Sequence, residues 1–258
     1  MADWNAGCYH DISSPQQKWG RKVLDRLPLS GHEHVLDVGC GTGRLTGEIA
    51  ARVPGGRVVG VDVSPSMLSI AADWLREHSP ATSLVLADAT ALPFRRAFDA
   101  VFSGATFHWI HNHAALFRSI ITALRPGGRL VAQCGGGPNL ALLYARADAL
   151  IRQPRFAPYF EDWSEPTYFA DVETTIRRLT AAGFVNVEVS LEEAPTTFES
   201  PAMFQEFIAN VCVRHQADRL MTEDRTAFLR ELTVAAATDK PAFTLDYWRL
   251  NIAGTRPQ

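Results

Sequence analysis

Three glycines in five positions, Gly39, Gly41 and Gly43, follow an apolar run in VLDVGCGTGRL, and carboxylates stand nearby in the order Asp37, Asp62 and Asp88. A turn so bare lets a ligand lie against the backbone, because a Cβ there would collide with it or demand a disfavoured φ. On its own, the turn suits a dinucleotide or another adenosine cofactor. The dinucleotide fingerprint GxGxxG is broken, since Arg44 and Thr46 occupy the two positions where a third glycine could fall. None of the five tyrosines has a lysine four residues on, so the YxxxK pair of a hydride-transfer enzyme is also missing. Three acidic strand ends around one turn would repel a pyrophosphate and suit a cofactor with a cationic amine and a sulfonium. Asp62 stands at the distance at which a carboxylate accepts both ribose hydroxyls, and Asp88, in LADATALPF, can take an adenine amino hydrogen.

The second cluster is HWIHNH, with His108, His111 and His113. His108 follows an apolar strand at a point from which a side chain can take a proton from a hydroxyl or hold a substrate carboxylate, with packing beside Trp109 as the competing role. The spacing H-x2-H-x-H contains no carboxylate and is a poor ligand set, so no metal is expected, and His111 and His113 are expected to sit exposed at a helix start. Cys8, Cys40, Cys134 and Cys212 form no CxxC pair and read as reduced, small hydrophobes.

These groups need a scaffold, and the chain supplies one. His34–Val38, Arg57–Asp62, Leu84–Ala87, Ala100–Ser103 and Arg129–Gln133 read as strands buried on both faces. Between them Leu45–Arg52, Pro65–Glu77 and Ala114–Leu124 have helical spacing, with Ser64-Pro65 and Asn112 as N-terminal signals. That alternation predicts a parallel sheet with helices on both sides. From Gly135 to about Ala170 the chain is expected to be irregular and aromatic, followed by a helix Val172–Ala182 closed by Gly183 and a strand Val185–Leu191. An amphipathic helix through Phe204–Val211, a strand Phe243–Ile252 and an N-terminal helix Gln16–Leu27 complete the expectation.

Of 258 residues, 47% are hydrophobic and 21% charged, with a net charge of −3, which gives no electrostatic footprint for nucleic acid. The N-terminal stretch has no signal-peptide core and no segment has the apolar length of a membrane span, so a cytoplasmic protein is expected.

VLDVGCGTG, VVGVDVSPSML, LVLADATALPF, FDAVFSGATFHWI and LRPGGRLV, in that order, resemble the successive motifs of class I S-adenosylmethionine-dependent methyltransferases. The flanks WNAGCYHDISSPQQKWGRKVLDRL and LDYWRLNIAGTRP resemble the small-molecule group that includes trans-aconitate methyltransferase. The resemblance implies an α/β fold with a Rossmann-like sheet of seven strands, mostly parallel with the last antiparallel, and with helical and aromatic lid insertions. It implies one domain over residues 1–258: a cap helix (1–30), a cofactor-binding core (31–135), a substrate lid (136–170 and 195–240) and C-terminal strands (171–194 and 241–258).

By the same resemblance Asp37, Gly39 and Gly41 face the methionine part of S-adenosyl-L-methionine, with Cys40 a small filler in that turn and Gly43 letting the next helix close in. Asp62 holds the ribose, Val63 and Met67 cover the adenine, and Asp88 with the Ala89 amide reads its polar edge. The Ser103 carbonyl contacts the methionine amine, and Tyr9 and Gln16 fold over the cofactor. His108 is the expected catalytic residue. The expected reaction is O-methylation of a small-molecule carboxylate with some apolar body, yielding S-adenosyl-L-homocysteine, with Arg146, Arg152 and Arg155 available as cationic partners. Methylation of a phenol, enol, amine or activated carbon is the alternative within the class, and a catalytically silent cofactor-binding regulator the alternative outside it.

Overall fold

A computed structural model describes residues 14–79 and 81–258, excluding the side chains of residues 14–18. Tyr9 and Cys8, and the side chain of Gln16, therefore lie outside the described residues. The chain divides into two compact units, the first comprising residues 1–137, 167–192 and 249–258, the second residues 138–166 and 193–248.

In the first unit, helix α1 (Ser14–Asp25) precedes β1 (His34–Val38), α2 (Arg44–Arg52), β2 (Arg57–Asp62), α3 (Pro65–His78), β3 (Ser83–Leu86) and β4 (Phe98–Gly104). Helix α4 (His113–Ala123) and strand β5 (Leu124–Gly135) follow, and after the excursion into the second unit come α6 (Val172–Ala182), β6 (Val185–Glu193) and β9 (Trp248–Thr255). The seven strands lie in the order β3-β2-β1-β4-β5-β9-β6, with β1 to β5 paired in parallel and β9 antiparallel to β5. Chain order reverses between β1 and β4, so connections diverge to opposite faces and leave a crevice at the carboxyl ends of those strands.

Neighbouring residues on one strand serve opposite cores, as the period of two demands. Val35, Ala100, Phe102 and Val131 pack with Val23 and Leu24 of α1, Leu27 just beyond it and Ile49 of α2. Leu36, Val101, Leu130 and Ala132 turn the other way, onto Leu116, Phe117 and Ile120 of α4 and Leu179 of α6. Burying each of the Val, Leu, Ile and Phe side chains among these contributes about 1.5–3 kcal/mol. Local signals set the helix starts: Ser64 Oγ accepts from the Met67 amide at 3.2 Å, Asn112 Oδ1 from Ala115 at 3.0 Å and Asp171 Oδ1 from Thr174 at 2.7 Å. Gly183 ends α6 at φ 100°, a left-handed position that glycine takes without strain.

The second unit holds α5 (Ala141–Ile151), α7 (Pro201–Phe207) with a π-helical turn at Ile208–Cys212, α8 (Arg214–Ala217) and α9 (Thr222–Ala236). Two-residue strands β7 (Thr196–Thr197) and β8 (Thr244–Leu245) pair antiparallel. Its aromatics pack on one another: Phe156 meets Phe228 edge-on at 5.7 Å, and Phe204 lies 5.8 Å from Phe198 and 5.9 Å from Phe243.

Several expectations change. The segment expected to be irregular contains α5, whose helical period was masked by Gly135-Gly136-Gly137-Pro138 just before it. Strand β3 is an edge strand rather than one buried on both faces, and Leu86 is 59% exposed. The strand expected over Phe243–Ile252 is two pieces, because the Asp246 carbonyl accepts from Leu140 and its Oδ2 from Leu142. Among the described residues no helix is long and apolar enough to cross a membrane.

Candidate functional site

The turn after β1 runs through positive φ at each glycine: 74° at Gly39, 52° at Gly41 and 81° at Gly43. The three fill different spaces. A Cβ on Gly39 would strike Thr106, and one on Gly43 would sit 3.1 Å from Ala71 and Leu75 of α3, so these two glycines allow close packing. At Gly41 a Cβ would meet no atom within 4 Å, so that glycine borders open space. No side chain caps α2 at Gly43, which leaves the start of that helix to the turn itself.

Asp62 closes β2 beside this turn. Its Oδ2 accepts from the Gly41 amide at 3.0 Å and its Oδ1 from the Ser64 amide at 2.9 Å. Val63, next along, is 56% exposed, whereas Met67, in the first turn of α3, is 4% exposed. Asp88 is exposed and accepts from the Thr90 amide and hydroxyl, both at Oδ1, at 2.7 and 2.8 Å. Ala89 follows it into a single 3-10 turn.

Asp37 occupies a different environment. It is 1% exposed, its Oδ2 accepts from Thr46 Oγ1 at 2.7 Å, and burial together with the Asp62 charge pushes its carboxyl up to about 7. It ties β1 to α2. Ser103 is also buried, and its hydroxyl donates to the Val38 carbonyl at 2.7 Å, tying β4 to β1 across the switch point. The Cys40 thiol is buried, and burial with the Asp37 and Asp62 charges raises its pKa, which removes it as a nucleophile.

His108 lies in a 3-10 turn, Phe107–Trp109, after β4. Its Nδ1 accepts from the Gly135 amide at 3.3 Å, which assigns the proton of the neutral ring to Nε2. Burial pushes its pKa down to about 3, with the charges of Arg249 and His113 adding to the effect. Rings of Trp109 and Phe169 stand 5.2 and 5.9 Å away, making the surroundings aromatic. His113, expected to be exposed, is 1% exposed: its ring Nε2 bonds the Phe107 carbonyl at 2.9 Å, and Tyr168 packs edge-on at 5.3 Å. The reason is the direction of the first turn of α4, which points that residue inward. Among the described residues no group of three histidine, cysteine or acidic side chains is placed to hold a metal.

Two of the arginines expected to meet a carboxylate are engaged inside the second unit. Arg146 forms a fork with Asp239 at 2.8 and 2.6 Å, and Arg155 bonds Asp224 at 2.6 Å; Arg152 is exposed. The cation that does reach His108 is Arg249, which was not anticipated. The available signal was an arginine inside the apolar strand pattern of YWRLNI, where a charge is costly without a purpose.

The bare turn with open space at Gly41, together with the half-buried Asp62 and exposed Asp88 carboxylates, fits an adenosine bearing a cationic chain. Residues 35–128 match a family described as a methyltransferase domain. The trans-aconitate 2-methyltransferase of Methylobacterium radiotolerans is 30% identical over 91% of this chain and 89% of its own length. The enzyme of the same name from Paracidovorax citrulli is 38% identical over 52% of this chain, and the match spans half of that protein's length. A phosphoethanolamine N-methyltransferase 2 from Haemonchus contortus, solved with phosphomonomethylethanolamine and S-adenosylhomocysteine, superposes with a TM-score of 0.65 at 19% identity. That superposition covers 100% of this chain and 58% of the other, and it bears on the fold alone.

Proposed function

The chain belongs to the class I S-adenosylmethionine-dependent methyltransferases, and on that premise we propose that it methylates a carboxylate oxygen of a small molecule. The cofactor, when bound, supplies a methyl group on a sulfonium sulfur and leaves as S-adenosyl-L-homocysteine. Asp62 takes the ribose hydroxyls, Val63 and Met67 border the adenine, and Asp88 with the Ala89 amide receives its polar edge. Gly39, Cys40 and Gly41 offer backbone to the methionine part. The Ser103 carbonyl receives its amine, and Asp37 acts from behind, by holding the turn through its bond to Thr46.

One observation carries the choice of acceptor: His108 presents Nε2–H, not a lone pair, at the end of β4. A ring whose Nδ1 already accepts a backbone amide, and whose pKa sits near 3, does not take a proton at neutral pH. The acceptor must therefore arrive deprotonated. Carboxylic acids ionise near pH 4 and meet that condition, whereas phenols, with a pKa of about 10, do not. His108 serves as a hydrogen-bond donor to the acceptor, holding one oxygen while the other attacks, and the catalytic gain comes from alignment and exclusion of water. Trp109 and Phe169 give the site an apolar wall, which suits a substrate with some hydrocarbon body. The relatives named for trans-aconitate support the same acceptor chemistry.

The test is a screen of small carboxylic acids, phenols and amines with S-adenosyl-L-methionine, read by mass spectrometry for a methyl ester that alkali hydrolyses. Methyl esters from carboxylic acids alone are expected. Alkali-stable ethers or methylamines as the principal products would overturn the reading.

A further inference from the structure

His113 opens α4, yet its ring reaches back to the turn before that helix. Its Nε2 lies 2.9 Å from the Phe107 carbonyl, a group that only accepts, so the neutral ring carries its proton on Nε2 and donates there. Nδ1 is buried and makes no hydrogen bond among the described residues, and burial lowers the pKa of the ring, which keeps it neutral. The side chain thus uses one polar end, and that end holds the residue before His108. The same Phe107 carbonyl accepts from the Ile110 amide at 3.0 Å, which closes the turn, and the His108 carbonyl accepts from the Tyr168 amide at 2.8 Å. The Tyr168 ring that packs edge-on against His113 carries the Arg178 guanidinium of α6 over its own face, 5.2 Å from the centroid. Phe117, one turn along α4, stands 5.6 Å from His113.

A 3-10 turn of three residues has poor hydrogen-bond geometry and depends on outside contacts to keep its shape. A donor that holds an acceptor in line with a methyl group tolerates little displacement, because the rate depends on alignment. Gly135 fixes the ring of His108, and His113 fixes the backbone that carries it. We infer that His113 is a positioning residue for methyl transfer: its Nε2–H bond to the Phe107 carbonyl sets the backbone from which His108 reaches the acceptor. This deepens the reading of His108 as a hydrogen-bond donor to a carboxylate and rests on it.

The experiment measures kcat/KM with the carboxylic acid that the wild type methylates fastest, starting from trans-aconitate, in His113→Leu, His113→Gln, His113→Asn, His108→Ala and the double variant His108→Ala/His113→Leu. Melting temperature and S-adenosyl-L-methionine affinity are measured for each protein. His113→Leu is expected to lower kcat/KM about tenfold, as His108→Ala does, with cofactor affinity changed less than about twofold. His113→Gln places an amide N–H at nearly the same reach and should recover most of the loss, whereas His113→Asn, one methylene shorter, should not. In the double variant the two losses should not multiply, because one residue acts through the other. A wild-type rate in His113→Leu, multiplied losses in the double variant, or equal rates in His113→Gln and His113→Asn would each overturn the inference, since a residue that only packs gives these results. If His113→Leu does not fold, the comparison of His113→Gln with His113→Asn decides. A wild type that methylates no carboxylic acid, or a His108→Ala variant with the wild-type rate, brings down the reading of His108 and this inference with it. A tenfold loss in His108→Ala beside a full rate in His113→Leu removes His113 alone.

Discussion

Asp62 and Gly41 are joined across two strands: the carboxylate at the end of β2 accepts the amide of the open glycine in the turn after β1, at 3.0 Å. The group proposed to hold the ribose thus also shapes the backbone against which the cofactor lies. Asp62→Ala is expected to lower S-adenosyl-L-methionine affinity at least about 100-fold, the loss of two charge-assisted bonds at about 1.5–3 kcal/mol each. Asp62→Asn, which keeps one acceptor, should fall between. Calorimetry of both variants against the wild type checks the order.

The glycines of the turn separate fold from function. Gly41→Ala places a Cβ in open space at φ 52°, so it should cost about 1–2 kcal/mol of backbone strain and a larger loss in cofactor affinity. Gly39→Ala drives its Cβ into Thr106 and should lower the melting temperature much further. Equal melting temperatures in the two variants would contradict the assignment of Gly41 to the ligand side.

A base at His108 would leave an inflection near pH 6.5 in the rate. With its pKa near 3 the ring stays neutral throughout, so kcat/KM for a carboxylic acid should be flat from pH 5.5 to 8. His108→Ala is expected to lose about tenfold through the missing donor, and His108→Gln, which can still donate, should recover part of that.

Asp37 links pH to stability. Its folded pKa, raised from 3.8 to about 7, means the native state holds a proton that the unfolded chain has released. Stability from this group is fully present below about pH 4 and is lost as pH rises through 7, by about 1.4 kcal/mol per unit and at most about 4 kcal/mol in all. Asp37→Asn keeps an acceptor for Thr46 and removes the titration. Its melting temperature should exceed the wild type's at pH 8 and converge with it at pH 4. A gap that does not change with pH would place the Asp37 proton elsewhere.

How much of this was legible in the chain differs between its parts. The succession of β1, β2, β4 and β5 with their helices followed from composition and period, because strands buried on both faces are apolar throughout and the caps at Ser64 and Asn112 are local devices. The glycine turn and the acids at Asp62 and Asp88 were equally plain, since chemistry that needs bare backbone or a carboxylate at a strand end leaves few residue types to choose from. The second unit was less readable. Its aromatics meet partners tens of residues away, as Phe156 meets Phe228, and no short window contains both.

The amino-acid sequence by itself determined the doubly wound sheet, the turn and its acidic neighbours, because local sterics and periodicity dictate them. Tertiary structure alone decided three things: that Asp37 is buried against Thr46, that the His108 proton sits on Nε2, and that Arg249 shares an edge with it. Each depends on a partner brought by folding, in the last two cases Gly135 at the end of β5. A protonation state or a buried charge belongs to a position in space, and a position in the chain does not contain it.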